Sequence, residues 1–340
     1  MATILTRTQM IKLIVTALAP LLFAGLPPIQ AQTDWEVAKT IHVGGQGAWD
    51  YLTVDPQTHR LYVPRGTHTM VIDSVTGKTI ADIPGQKIAH GVAIVPKSGR
   101  GFISDGGGQG AIVIFDLKTN AVLGSIVAQP DADGIIFDPA SGRVVVVSGD
   151  KGSLMSIAPD IDPKSGKIDA PVDLGGAPEF LASDGAGKVY VNLMDKNEVA
   201  VFDMRAKKVV ARWPVAPGGA PVGMTIDTKK RQIYIGCRKP RKLIVMSTVT
   251  GKVVADLPIG DHVDAVKVDS GEVFASCGDG TLAVARETSP GKFEILQTVK
   301  TPQGARTMGV DSATHKMFLP TAESKKPGRF IIVVVARRGA

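Results

Sequence analysis

Leu52-Thr-Val-Asp55-Pro-Gln-Thr-His-Arg60-Leu-Tyr-Val63 is the stretch that decides the fold: a short apolar run, an aspartate-led turn, a basic residue and a second apolar run. The phrase returns as Val92-Ala-Ile-Val-Pro-Lys-Ser-Gly-Arg-Gly-Phe-Ile103 and as Ile135-Ile-Phe-Asp-Pro-Ala-Ser-Gly-Arg-Val-Val-Val146. Further copies start at Leu181, Met224, Val266 and Met308. Anchored on Asp55, Val95, Asp138, Asp184, Asp227, Asp269 and Asp311, the copies step by 40, 43, 46, 43, 42 and 42 residues. Short runs rich in Val and Ile, closed by turn residues, read as strands. A period in the low forties with about four strands per unit is the pattern of a β-propeller blade. The chain is therefore expected to be all-β: a seven-bladed β-propeller of four-stranded antiparallel blades.

Working outward, blade one reads as strands at Leu52–Val54, Leu61–Val63, Thr69–Ile72 and Thr79–Ile83. Gly77 supplies the positive φ that a tight hairpin needs. The same turn recurs at Gly251 and, lengthened, at Gly166. The seventh unit has strands at Met308–Val310, Met317–Leu319 and Phe330–Val335, but no fourth. Glu36-Val-Ala-Lys-Thr-Ile-His-Val43-Gly-Gly matches Gly251-Lys-Val-Val-Ala-Asp-Leu-Pro-Ile-Gly260 in pattern. The N-terminal strand is thus expected to complete the last blade, which removes two exposed sheet edges.

Residues 1–31 read as a secretory signal peptide. Arg7 and Lys12 precede the apolar run 13–26, and Ala31 offers a small residue for cleavage. The run is too short for a membrane span, and no Cys follows it to carry a lipid. The expected location is periplasmic or extracellular. Residues 32–340 then form one domain, with roughly 44 residues per blade. The net charge of +7 is a mild excess on 340 residues and does not by itself indicate nucleic acid. The two cysteines, Cys237 and Cys277, form no Cys-x-x-Cys, which excludes a thioredoxin-type site and covalent c-type haem. They share one repeat position in consecutive blades, and both a bridge and two packed thiols stay open.

Leu61-Tyr-Val-Pro64, Val189-Tyr-Val-Asn192, Ile233-Tyr-Ile-Gly236 and Met317-Phe-Leu-Pro320 resemble the YVTN-type β-propeller repeat. Over about residues 34–337 the chain resembles secreted YncE-like proteins built from that repeat. The resemblance implies the fold and no particular reaction. No blade ends its third strand in Trp-Asp, which disfavours WD40.

The repeat register also says what faces the axis. The residue five before each anchor opens an inner strand: Asp50, His90, Asp133, Glu179, Val222, Asp264 and Arg306. Six of the seven are ionisable, against 21% charged residues overall. Trp49, Tyr51 and Phe180 flank them. Carboxylates crowded together need a cation, a proton or an internal arginine to balance them. Asp50, His90, Asp133, Glu179, Asp264 and Arg306 are therefore the candidate ligand-binding residues. Asp133, Glu179 and Asp264 would offer hard oxygens to Ca²⁺ or Mg²⁺. If the protein were an enzyme, His90 would be a base and Arg306 an anchor for a carboxylate or phosphate. A solvated, purely structural ring is the competing account.

Other motifs are weaker. Asp105-Gly-Gly-Gly-Gln-Gly110 lies in a hairpin without a following helix, so it is not a phosphate loop. Asp160 to Gly166 faintly echoes a Ca²⁺ loop but has Lys164 at a ligand position. There is no Gly-x-Ser-x-Gly. His59 and His315 are expected at the surface of the opposite face. Arg238-Lys-Pro-Arg-Lys242 and Lys325-Lys326 with Arg329 are expected in loops on the ring's face, without interleaved aromatics for base stacking. Three readings follow. The favoured one is a monomeric propeller that binds a small ligand or protein partner at the channel mouth, without catalysis. The alternatives are a metal-dependent, lactonase-like hydrolase and a scaffold for nucleic acid or cell-wall polymer.

Overall fold

In most repeats the leading aspartate closes its own turn. Asp55, Asp138, Asp227 and Asp311 each accept backbone N–H bonds at 2.8–3.0 Å from residues two or three further on. A short carboxylate side chain at that position mimics one arm of a turn, so the chain reverses and the second strand pairs with the first. In the hairpin after the third strand, Gly77 and Gly251 take φ of 76° and 67°. Gly166 closes an equivalent N–H bond, to Asp162, at 2.9 Å without a left-handed φ.

The computed structural model describes residue 1, residues 34–323 and residues 328–339. The apolar run 13–26 and Lys325-Lys326 therefore lie outside the described residues. The described part of Thr33–Ala340 is all-β apart from one short 3₁₀ turn, Pro96–Ser98. Its strands form five four-stranded antiparallel sheets and one of seven strands. No helix among the described residues is long and apolar enough to cross a membrane.

The seven-stranded sheet departs from the expected strand pattern. Thr79–Val95 is one unbroken strand of 17 residues. Its first part pairs with Gly66–Asp73 and its last part with Arg100–Asp105, so it is outermost in one repeat and innermost in the next. Gln86 makes this possible without a turn. Its side chain donates to the Pro84 carbonyl at 2.7 Å and accepts from Thr69 Oγ1 at 3.2 Å.

The inner strands close a ring. Thr53–Asp55, Thr79–Val95, Ala132–Asp138, Pro178–Ser183, Pro221–Asp227, Val263–Asp269 and Gly309–Asp311 each touch the next, and the last touches the first. Six apolar clusters fill the gaps between successive sheets, and a seventh lies inside the seven-stranded sheet, between its two halves. Phe102, Ile114 and Met155 belong to one; Tyr234, Val273 and Phe293 to another. Neighbouring sheets bury one another's faces, so no repeat holds its core alone.

Ring closure uses the N-terminal strand. Trp35–His42 pairs antiparallel with Phe330–Arg337, in the sheet that also holds Lys316–Ala322 and Gly309–Asp311. Cys237 and Cys277 are free, buried thiols in different clusters, which answers the open question of a bridge. Burial pushes both thiols up to about 12, so they act as packed apolar groups. His59 is half-buried with an unpartnered Nδ1 rather than a surface residue. His315 is exposed and holds Asp269 at 2.8 Å.

Candidate functional site

The inner strands begin with irregular pairing. Register shifts fall between Ala89 and Val92, between Pro178 and Leu181, and between Val263 and Ala265. His90, Glu179 and Asp264 lie inside these breaks. Asp133 lies in the same kind of break, opposite Val146 to Ser148. An extra residue bends the strand and re-aims its side chain, which is how a residue at a strand start comes to face the axis. The small residues that follow allow close approach. A methyl on Gly134 would sit 2.7 Å from the Glu179 carbonyl, and one on Gly223 2.7 Å from the Asp264 carbonyl.

The ring has an acidic arc. His90 Nδ1 lies 2.8 Å from Asp50 Oδ2 and 3.5 Å from Asp133 Oδ1, and Nε2 lies 3.9 Å from Asp131 Oδ1. Burial pushes the imidazole down, but the Asp50 hydrogen bond and the charges of Asp133, Asp50 and Asp131 outweigh it and lift the ring to about 9. At neutral pH His90 therefore carries its proton and donates rather than accepts. Asp133 is pushed well up, by burial first and by Asp50, Glu179 and Asp131 against the pull of His90. Its Oδ1 is buried and has no hydrogen-bond donor. Burial also raises Glu179 to about 7, with Arg238 opposing and Asp264, Asp131 and Asp50 assisting.

The other arc is basic. Asp264, 5% exposed, accepts from Arg238 Nη2 at 2.7 Å and from Arg306 Nε at 2.6 Å. Arg238 also donates to the Val263 carbonyl at 3.1 Å. Both Asp264 oxygens are thus engaged, so it is not free to join Asp133 and Glu179 around a cation. The set within reach of one metal ion is instead Asp50, His90 and Asp133, whose ligand atoms lie within 4.8 Å of one another. Val222, the seventh position, is fully buried, and its carbonyl accepts from Asn192 Nδ2 at 2.7 Å.

Tyr51 stands beside the ring residues. Its hydroxyl is pushed well above the usual phenol range by burial first, and then by the charges of Asp264, Asp133, Asp50 and Glu179. Its ring lies against Phe180 at 4.6 Å. A cavity of about 370 Å³ beside Arg238 and Arg306 adjoins the basic arc. A cavity of about 810 Å³ lies against Trp49, Arg65 and Phe330.

Arg238 was misplaced by sequence reasoning. It ends the strand Gln232–Arg238 and turns inward, whereas the run around it suggested a solvated loop. Arg241 lies 3.7 Å from Asp261, and Lys242 pairs with Asp256, so little of this run is free for a polyanion. Asp131 was missed; it follows Pro130 in the connection before its inner strand, outside the repeat register. The glycine-rich hairpin after Asp105 packs on the site. A methyl on Gly106 would meet His90 Nε2 at 2.8 Å and Asp131 Cα at 3.2 Å. Gly106→Ala is expected to push the imidazole off Asp50 and lower its raised pKa by about one unit or more. An NMR titration of His90 checks this; an unchanged midpoint would refute the contact.

Sheet order and ring closure define a β-propeller. Its solved neighbours are propellers of very different sequence. The hydrazine synthase of Kuenenia stuttgartiensis is 12% identical with a TM-score of 0.73, covering 88% of this chain and 98% of that one. The RRP9 WD40 repeats are 11% identical with a TM-score of 0.73, covering 89% and 98%. A chain in the mitotic checkpoint complex is 12% identical with a TM-score of 0.74, covering 95% and 99%. At such identity the likeness is one of fold alone. No family model and no curated protein matches the chain.

Proposed function

We propose that this chain is a secreted seven-bladed propeller of the YVTN, YncE-like type that binds a small zwitterionic ligand at its axial mouth. The count of seven blades is supported by the closed ring of seven inner strands, with Thr79–Val95 serving two blades. The YVTN reading is supported by the Leu61-Tyr-Val-Pro64 type of motif, and secretion by the composition of residues 1–31. One observation carries the ligand: Asp133 Oδ1 is buried in the acidic arc with no donor, opposite an arginine pair across the same axis. A buried carboxyl oxygen without a hydrogen bond is costly even with the His90 ring 3.5 Å away, and a ligand ammonium would supply one. The ligand's carboxylate would meet Arg306, which spends Nε on Asp264 and, among the described residues, makes no hydrogen bond through its Nη groups.

Calorimetric titration with a panel of free amino acids tests the reading. At least one is expected to bind, and Asp133→Asn and Arg306→Gln are each expected to weaken it by about tenfold or more. Absence of binding across the panel, or binding indifferent to both variants, would refute it.

A second reading is favoured by the grouping of Asp50, His90 and Asp133. An imidazole with two carboxylates suits a transition metal better than Ca²⁺ or Mg²⁺. The metal would have to displace the His90 proton, so its uptake should strengthen as pH rises. A metal-assisted hydrolase would draw on the same three residues, and His90 as a ligand could not also be the base. Elemental analysis of protein purified without chelator separates this reading from the first.

A further inference from the structure

Below the acidic mouth, the axis holds a second cavity of about 320 Å³ with different chemistry. Its wall is built from inner strands, with Leu52, Ile94, Ile136, Phe180, Met224 and Ile226 among its apolar residues. The rings of Tyr51 and Phe180, in contact and tilted 49° to one another, belong to both this wall and the neighbourhood of the mouth. Ile136, Phe137, Ile226 and Lys267 are only half-buried, so solvent reaches the cavity.

Lys267 is the one cation on this wall, and Tyr51 is the only other titratable residue there. Val266 and Val268, on either side of it, pack into the cluster between two sheets. Strand alternation turns Lys267 away from that cluster. Its ammonium sits 5.1 Å from the centre of the Phe180 ring. Among the described residues it has no carboxylate partner and no hydrogen bond. The equivalent positions in the other repeats are Thr53, Ala93, Ile136, Ala182, Thr225 and Gly309. One lysine therefore replaces a small or apolar residue at a single point of an otherwise uniform wall.

An ammonium held against apolar walls without a counter-ion is expensive. Burial lowers this lysine to about 8, with no neighbouring charge offsetting it. An anion that brings its own apolar body would satisfy both the charge and the wall. A cavity of this size, apolar with one well-placed charge, has the make-up of a small-molecule site.

We propose that the axial cavity binds a small apolar monocarboxylate, with the Lys267 ammonium as its counter-ion. The site is separate from the mouth and does not depend on the zwitterion reading. Lys267 fixes the carboxylate end, and the inner strands clasp the apolar end. An uncharged isostere gains only the second contact.

The test is calorimetric titration of the whole chain with benzoate and with benzyl alcohol. Wild type is expected to bind benzoate more tightly than benzyl alcohol. Lys267→Met is expected to weaken benzoate by about tenfold or more while keeping benzyl alcohol, and to melt no lower than wild type because an unpaired charge is gone. Lys267→Arg should retain benzoate, which guards against a merely misfolded methionine variant. Absence of benzoate binding in wild type, or benzoate affinity unchanged in Lys267→Met, overturns the proposal. So does benzoate binding that is abolished by Arg306→Gln and indifferent to Lys267, which would place the anion at the mouth.

Discussion

Trp35→Ala is expected to destabilise the whole ring by about 3–5 kcal/mol, the range for truncating a fully buried aromatic. Trp35 is 3% exposed and lies edge-on to Phe274 at 4.9 Å. Its Nε1 donates to Glu272 Oε2 at 3.0 Å, and the same oxygen accepts from Arg337 Nη2 at 2.6 Å. Its backbone exchanges two hydrogen bonds with the Gln297 side chain. The residue thus ties the N-terminal strand to the C-terminal strand and to the preceding sheet. Domains are stable by only about 5–15 kcal/mol, so the loss is a large fraction of the total. Urea unfolding should show one cooperative transition moved to lower denaturant, with Trp35→Phe intermediate. An unchanged midpoint would mean that this strand does not hold the ring closed.

Stability is also expected to fall as pH rises from about 4.5 to about 8. Glu179 is raised from 4.5 to about 7 in the folded chain, so its contribution is full below 4.5 and lost through 7. His90 is raised from 6.5 to about 9, so its contribution is full below 6.5 and lost as pH climbs through 9. Burial pushes Asp133 and Asp264 in the same direction as Glu179. Lys267 has the opposite sign. It is lowered to about 8, so its penalty is lifted only between that pH and its ordinary 10.5. Surface-turn carboxylates such as Asp73 are lowered and act on the acid side of this window. With allowance for solvent reaching the mouth, the loss is on the order of 2 kcal/mol for each of Glu179 and His90. Denaturant midpoints at pH 5 and pH 8 measure it. Glu179→Gln and His90→Gln should each flatten the profile, and saturation with a mouth-bound cation should flatten it in wild type. A level profile would show that the carboxylates do not share one electrostatic environment.

The repeat was legible because its turn chemistry is local: an aspartate that bonds the next few amides sits at the same place in most units, with Val95 in the second and Asp269 bound to His315 instead. The register then said which residues open the inner strands. It did not say how they pair. Asp264 looked like a metal ligand, yet two arginines reach it, one from its own inner-strand register and one from a strand end in the preceding sheet. That second contact joins residues 26 apart and depends on the packing between sheets, which a repeat alignment does not encode. The unbroken strand Thr79–Val95 was hidden for a similar reason, since Gln86 replaces a turn by side-chain bonds to residues on either side. Lys267 was visible in principle: six small or apolar residues and one lysine share its position.

Trp35 and Arg337 are the outermost partners of the pairing between the two terminal strands, and they stand 302 positions apart in the chain. Such distant pairing is slow, because a very long loop must be shut before any gain arrives. On the ribosome the first strand emerges early and must wait for its mate until nearly all the rest has been made. Until then the growing polypeptide is an unlatched arc with sticky margins at both tips. The temporal order of synthesis thus makes Trp35–His42, a strand made before all the others of the ring, the last to find its place.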